Sequence, residues 1–176
     1  MIFRETKLKG AYIVEPQLVE DNRGFYARVW CEKEFATLGL DVGFVQGNMS
    51  FSKRGGTLRG LHYQISPHRE VKLVRCTRGA IYDVIIDLRP ESATYLEWLA
   101  VELSAGNRKL LYVPKNFAHG FQTLVDETEV FYPTSQFYSP ESMRGIRYND
   151  PAFEIKWPIE VQVISDQDKN WPNYQF

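Results

Sequence analysis

Arg59 and His62 lie three apart in the run Thr57-Leu58-Arg59-Gly60-Leu61-His62-Tyr63-Gln64. A guanidinium grips phosphate through paired N–H donors, and an imidazole moves protons near neutral pH. Side chains alternate along an extended strand, so residues 59 and 62 point to opposite faces unless a bulge intervenes. Gly60 is the residue able to supply that bulge. Further groups suited to chemistry follow at Lys72, Asp83, His119 and Tyr132, with Asp168 in the tail. Gathered in one interior, a base, two cationic or hydrogen-bonding groups and a phenol suit proton abstraction beside a ketone. The base removes the α-proton, a cation or donor stabilises the enolate oxygen, and an acid returns a proton to the opposite face. The base needs a partner to fix its tautomer, and Asp168 is the candidate.

Plainer readings stand beside these. An alternating strand through Val71-Lys72-Leu73-Val74 puts Lys72 in solvent as readily as in a site. Asp83, inside Tyr82-Asp83-Val84-Ile85-Ile86-Asp87, is a carboxylate in an apolar run and needs a buried partner. Tyr132 and Tyr138 also fit a core or a surface, Arg23 and Arg59 fit a surface, and Asn116 suits a positive-φ turn.

The elements that must position these groups read as short strands. A chain of 176 residues fits one domain, 1–176, with length for a sizeable core. A first strand is expected within residues 1–15, around Ala11-Tyr12-Ile13-Val14. A turn at Asp21-Asn22-Arg23-Gly24 precedes a strand over Phe25–Trp30, and Glu32–Leu38 is a short helix closed by Gly39. Extended segments follow at 44–51, 57–64, 71–76, 80–88, 98–103, 109–113, 120–124 and 129–134, separated by turns such as Thr77-Arg78-Gly79. Many short strands with almost no helix indicate an all-β antiparallel sandwich or barrel, its core over about residues 40–135. Pro140, Pro151, Pro158 and Pro172 make the tail irregular and draped over that core.

Composition narrows the class. A formal net charge of −1 argues against a nucleic-acid binder. No signal peptide, lipidation motif or long apolar segment is visible, so a cytoplasmic protein without a membrane partner is expected. Cys31 and Cys76 have neither metal-ligand nor disulfide-framework spacing.

Gly60-Leu61-His62-Tyr63-Gln64 and, about fifty residues on, Val113-Pro114-Lys115-Asn116-Phe117-Ala118-His119-Gly120 resemble the two cupin motifs, which points to a jelly roll. Metal-binding cupins carry His-x-His followed by Glu in the first motif. Here Gln64 takes the second histidine position and His68 lies in a loop beside Pro67. With two histidines where about three ligands are needed, a site free of metal and cofactor is expected.

The whole set resembles the dTDP-4-dehydrorhamnose 3,5-epimerase family, a metal-free cupin branch, over about residues 10–170. The likeness runs through Asp21-Asn22-Arg23-Gly24-Phe25, Phe44–Ser50, Leu58–Gln64, Val71–Val74, Asp83, Asp87-Leu88-Arg89, Phe117–Phe121, Tyr132, Tyr138, Asn149-Asp150-Pro151 and Ser165-Asp166-Gln167-Asp168. It implies a homodimer that epimerises a nucleoside-diphospho-4-keto-6-deoxyhexose. His62 paired with Asp168 would be the base, Lys72 would steady the enolate, and Tyr132 would be the acid. His119, held by Asp83, would line the sugar pocket. Arg23, Gln46, Asn48 and Arg59 would hold the diphosphate and sugar, with Phe25 or Tyr138 against the nucleobase. Arg28 and Met143 replace acidic residues of the family, and Gln167 replaces a lysine, all at positions that contact substrate. A CDP- or otherwise activated sugar, inversion at C3 or C5 alone, a 3,4-ketoisomerase and a non-catalytic sugar-nucleotide binding cupin remain as alternatives.

Overall fold

The structure is a computed structural model and describes residues 1–175. Strands β1 (Ile2–Glu5) and β2 (Tyr12–Glu15) form a hairpin, β3 (Leu18–Asp21) and β4 (Gly24–Ala27) a second, and α1 (Glu32–Ala36) follows. The central strands are β5 (Gln46–Ser52), β6 (Thr57–Gln64), β7 (Lys72–Arg78), β8 (Ala80–Asp87), β9 (Trp98–Ser104), β10 (Leu110–Val113), β11 (Phe117–Thr123) and β12 (Thr128–Thr134). The tail adds β13 (Met143–Gly145), β14 (Val163–Ile164) and α2 (Asp166–Lys169).

Two sheets face each other, with orders β1-β2-β10-β7-β12-β5 and β13-β6-β11-β8-β9. This is the all-β jelly roll of the cupin type, built as a sandwich whose ladders do not close into a ring. The first fifteen residues make two strands where the alternation suggested one. Thr6 Oγ1 accepts from the Leu8 N–H at 3.1 Å, and Gly10 turns the chain at φ 83°. The strand expected over Phe25–Trp30 ends at Ala27.

Strand β8 explains why the central segments read as unbroken apolar runs: both of its faces are buried. Ile81 and Ile85 point between the sheets, packed with Val74, Leu111, Phe117 and Val130. Val84 and Ile86 point outward and are covered by tail residues Ile146, Phe153 and Trp157. The N-terminal segment and α1 cover the opposite outer face, where Phe35 packs with Leu73 and Tyr112. Each such fully buried side chain contributes about 1.5–3 kcal/mol by leaving water. Asp83 has the inward phase of Ile81 and Ile85, which is how a carboxylate comes to lie inside the sandwich.

The expected bulge is present. On β11, His119 pairs with His62 and Phe121 with Arg59, so two steps of one strand oppose three of the other. Gly60 takes φ 120°, and a Cβ there would lie 2.9 Å from the His119 carbonyl oxygen and closer still to Gly120 Cα. Only glycine fits that conformation and that approach. The extra residue puts Arg59 and His62 on one face.

The tail edges β6. Strand β13 pairs antiparallel with its second half, Gly145 opposite His62, while β14 runs parallel to its start, Val163 opposite Thr57. Helix α2 begins two residues after β14 and is thereby delivered beside His62. No helix among the described residues is long and apolar enough to cross a membrane.

Candidate active site

His62 Nε2 lies 2.6 Å from Asp168 Oδ1. The carboxylate is itself fixed: Oδ2 accepts from the Gly60 N–H at 3.1 Å, and Oδ1 accepts from Trp171 Nε1–H at 3.2 Å. Ser165 caps α2, its Oγ accepting the Asp168 N–H at 3.1 Å. Burial by itself would raise the Asp168 carboxyl, but the bonds from His62, Gly60 and Trp171 outweigh it and hold the group below its ordinary value. An ionised Asp168 accepts from Nε2–H, which leaves the lone pair on His62 Nδ1. The histidine side chain is 35% exposed and lines a cleft of about 470 Å³.

The opposing wall comes from the other sheet. Lys72 is buried, which removes the solvent-facing reading; its Nζ donates to the His62 carbonyl at 3.2 Å and lies 3.1 Å from Glu70 Oε1. Tyr132 lines the same cleft from β12. Its phenol is raised above the ordinary value, first by burial and then by the Glu70 charge, with Arg59 opposing. A raised tyrosine keeps its proton, as an acid must. On β11, His119 Nε2 meets Asp83 Oδ1 at 2.7 Å, so the buried partner that Asp83 requires is this histidine. Asp83 Oδ2 is buried without a hydrogen-bonding partner among the described residues.

Arg59 lines the cleft beside His62, its Nη2–H donating to the Phe51 carbonyl at 3.1 Å. Gln46, Asn48 and Tyr138 line an adjoining recess that shares His62, Lys72 and Tyr132 with the main cleft. Gln46 Nε2 donates to Asn48 Oδ1 at 2.8 Å and its Oε1 accepts the Tyr138 N–H at 3.1 Å, tying strand to loop. Arg23 and Phe25 are not brought to this cleft. Arg23 pairs with Asp21 in the β3–β4 turn, and the Phe25 ring stacks under the Arg108 guanidinium, 4.5 Å from its centroid. Arg28 is likewise distant, paired with Glu34 at 2.8 Å. Met143 and Gln167 stand at the mouth, Gln167 Nε2 lying 3.9 Å from the Met143 sulfur.

Glu70 and Trp171 belong to the site and were not singled out from the sequence. Both lie outside strands, where no alternation marks an inward side chain. Gln64, noted only for replacing a histidine, anchors two loops: its Oε1 accepts the Ser139 N–H at 2.6 Å, and its Nε2 donates to Glu70 and to the His68 and Phe137 carbonyls. No three side chains of His, Cys, Asp or Glu converge to hold a metal among the described residues.

The family model described as dTDP-4-dehydrorhamnose 3,5-epimerase matches residues 5–175. A dTDP-4-dehydrorhamnose 3,5-epimerase from Methanothermobacter thermautotrophicus is 46% identical over 172 residues, 96% of this chain and 92% of that protein. The crystal structure of the enzyme of that name from Bacillus anthracis, with TDP and PPi bound, is similar at a TM-score of 0.95 and 43% identity. The match covers 98% of this chain and 99% of that one. A double mutant of ChmJ, a 3'-monoepimerase from Streptomyces bikiniensis in complex with dTDP, is similar at a TM-score of 0.88 and 30% identity. It covers 96% of this chain and 85% of that one. The residues replaced there are a histidine and a tyrosine 70 positions apart, the interval that separates His62 from Tyr132.

Proposed function

The chain belongs to the dTDP-4-dehydrorhamnose 3,5-epimerase family, and we propose that His62 is the base and Tyr132 the acid of its reaction. The enzyme is an isomerase that inverts C3 and C5 of a dTDP-4-keto-6-deoxyhexose through an enolate. His62, held by Asp168, takes the proton from the carbon beside the C4 ketone. The charge that develops on the ketone oxygen meets the Lys72 ammonium. Tyr132 then delivers its proton to the far face of the same carbon, and solvent restores both groups to their starting states. His119, fixed by Asp83, lines the sugar end. Arg59, Gln46 and Asn48 hold the diphosphate and sugar, and Tyr138 lies against the base.

One observation carries this reading. His62 projects from β6 of one sheet and Tyr132 from β12 of the other into the same cleft, the arrangement that inversion demands. Proton NMR in D₂O with dTDP-4-keto-6-deoxyglucose tests it, followed by the CDP counterpart. Deuterium at both C3 and C5 is expected with the dTDP sugar. Deuterium at one carbon, or with the CDP sugar alone, would assign Met143 and Gln167 to a changed specificity. Absence of exchange with either sugar would remove the acid–base assignment.

The working form is a cytosolic homodimer. Met49, Phe51 and Phe131 stand exposed on the outer face of β5 and β12, an apolar patch of the kind that protein contacts cover. Arg23 and Phe25, remote from their own cleft, reach the partner's in this arrangement. A monomer by size-exclusion chromatography with light scattering would remove it.

A further inference from the structure

We propose that Glu70 is a positioning residue for the epimerisation: braced on Gln64, its carboxylate aims the Lys72 ammonium into the cleft. The inference rests on the enolate reading and extends it to a residue one step back from the substrate.

An ammonium has three hydrogens and no preferred direction of its own. One of those on Lys72 is directed to the His62 carbonyl at 3.2 Å, and the ammonium charge is held by Glu70, whose Oε1 lies 3.1 Å from Nζ. The rest of the ammonium is left for the cleft that Lys72 lines. Glu70 is in turn fixed, because Gln64 Nε2 donates to its other oxygen. Gln64 cannot turn over: its Oε1 already accepts the Ser139 N–H, and its Nε2 reaches the Phe137 carbonyl. Tyr138 lies between those two residues, so one amide joins the loop carrying Tyr138 to the carboxylate that orients Lys72. The side chains of Glu70 and Lys72 are only 12% and 8% exposed, which leaves little water to substitute for either contact.

Glu70 also lies near the acid, lining with Tyr132 the recess that adjoins the cleft. The charged and titratable groups lining the cleft and recess with Tyr132 are Arg59, His62, Tyr63, Glu70, Lys72, His119, Tyr138 and Asp168. Of these, Glu70 raises the phenol and Arg59 lowers it, with burial the larger influence. Removing the Glu70 charge therefore moves the alkaline limb of activity to lower pH.

The test is deuterium wash-in as a function of pH and of sugar concentration, for wild type, Glu70→Ala and Glu70→Gln. The amide variant keeps the shape, but its single acceptor oxygen serves Lys72 or Gln64 and not both. Both variants should fold with wild-type circular dichroism. Their kcat should fall by about 10- to 100-fold, as misplacement of a catalytic group by about 1 Å does, with KM within about threefold. Their alkaline limb should move down in pH. If Glu70→Ala fails to fold, the isosteric Glu70→Gln carries the test. Wild-type kcat with an unmoved alkaline limb in Glu70→Gln would overturn the proposal and leave the epimerase reading standing. No exchange in wild type would overturn both.

Discussion

Asp168 holds His62 from the far end of the chain, its Oδ1 2.6 Å from the Nε2 of a histidine 106 positions earlier. The contact exists because β14 pairs in parallel with the start of β6 and α2 follows at once. Replacing Asp168 by Asn keeps the shape and removes the charge that fixes the imidazole tautomer. Deuterium wash-in should fall by about 100-fold or more in Asp168→Asn and by about 100- to 10,000-fold in His62→Ala, with both proteins folded. Wild-type exchange in His62→Ala would give the base role to another group.

The same carboxylate sets an acid dependence. Folding lowers the Asp168 carboxyl, so its ionised form adds stability above the unfolded value. That stability is lost as pH falls through the folded value. The melting temperature of wild type should exceed that of Asp168→Asn at neutral pH, and the gap should close between about pH 5 and about pH 2. A gap of constant size would mean that Asp168 contributes packing and not charge.

The roles proposed for Tyr132 and His62 are separable. In Tyr132→Phe the base still removes the proton and returns a solvent deuteron to the face it came from. Exchange without inversion is the expected outcome, with epimerised product reduced by about 100-fold or more. As the proposed acid, Tyr132 serves while protonated, and its raised phenol should carry that state beyond the ordinary tyrosine value of 10.0 before activity declines. Equal loss of exchange and inversion in the Phe variant would join the two residues in one step.

How much of this was legible in the sequence depends on where each residue sits. Asp83 could be read because a carboxylate in Tyr82–Asp87 breaks an apolar strand, and its partner His119 stands on the adjacent strand, where Phe121 pairs with Asp83. The Arg59–His62 face was legible through Gly60, the one residue able to carry the bulge. Lys72 was ambiguous because β7 is buried on both faces, so alternation gives no contrast between inside and outside. Glu70 and Trp171 left no signal at all. Each reaches the site from an irregular segment, by contacts that depend on how the 65–71 loop and the tail fold over β6.

Trp171 makes a structural prediction at Gly145. The indole lies against that glycine so closely that an added Cβ would overlap the ring. Gly145→Ala should lower unfolding stability by about 1–3 kcal/mol in denaturant titration, as overpacked sites do, and should also weaken exchange by shifting the donor to Asp168. Trp171→Phe removes the Nε1–H that Asp168 accepts and adds no overlap at Gly145. Its stability should stay nearer wild type while exchange still declines. Full exchange in Trp171→Phe would leave the indole a packing role alone.

The remote placement of Arg23 leads to a mixing experiment. Within one chain this guanidinium pairs with Asp21 in a solvent-exposed turn, and it contributes nothing to the cleft that contains His62. If the hairpin of one protomer completes the cleft of its partner, Arg23→Ala and His62→Ala homodimers are both defective, each lacking one group in every site. In a heterodimer the two lesions segregate differently. The cleft with His62 intact receives Arg23 from the His62→Ala protomer and is complete, while the other cleft lacks both. Random reassociation makes about half the dimers mixed, each with one complete site, so activity should return to about a quarter of wild type. Rescue requires that the two groups act across the interface, because residues serving the same chain's cleft cannot be complemented by exchange of partners. Recovery to that level would assign Arg23 to the partner's cleft, and a mixture no more active than its parts would confine it to its own hairpin.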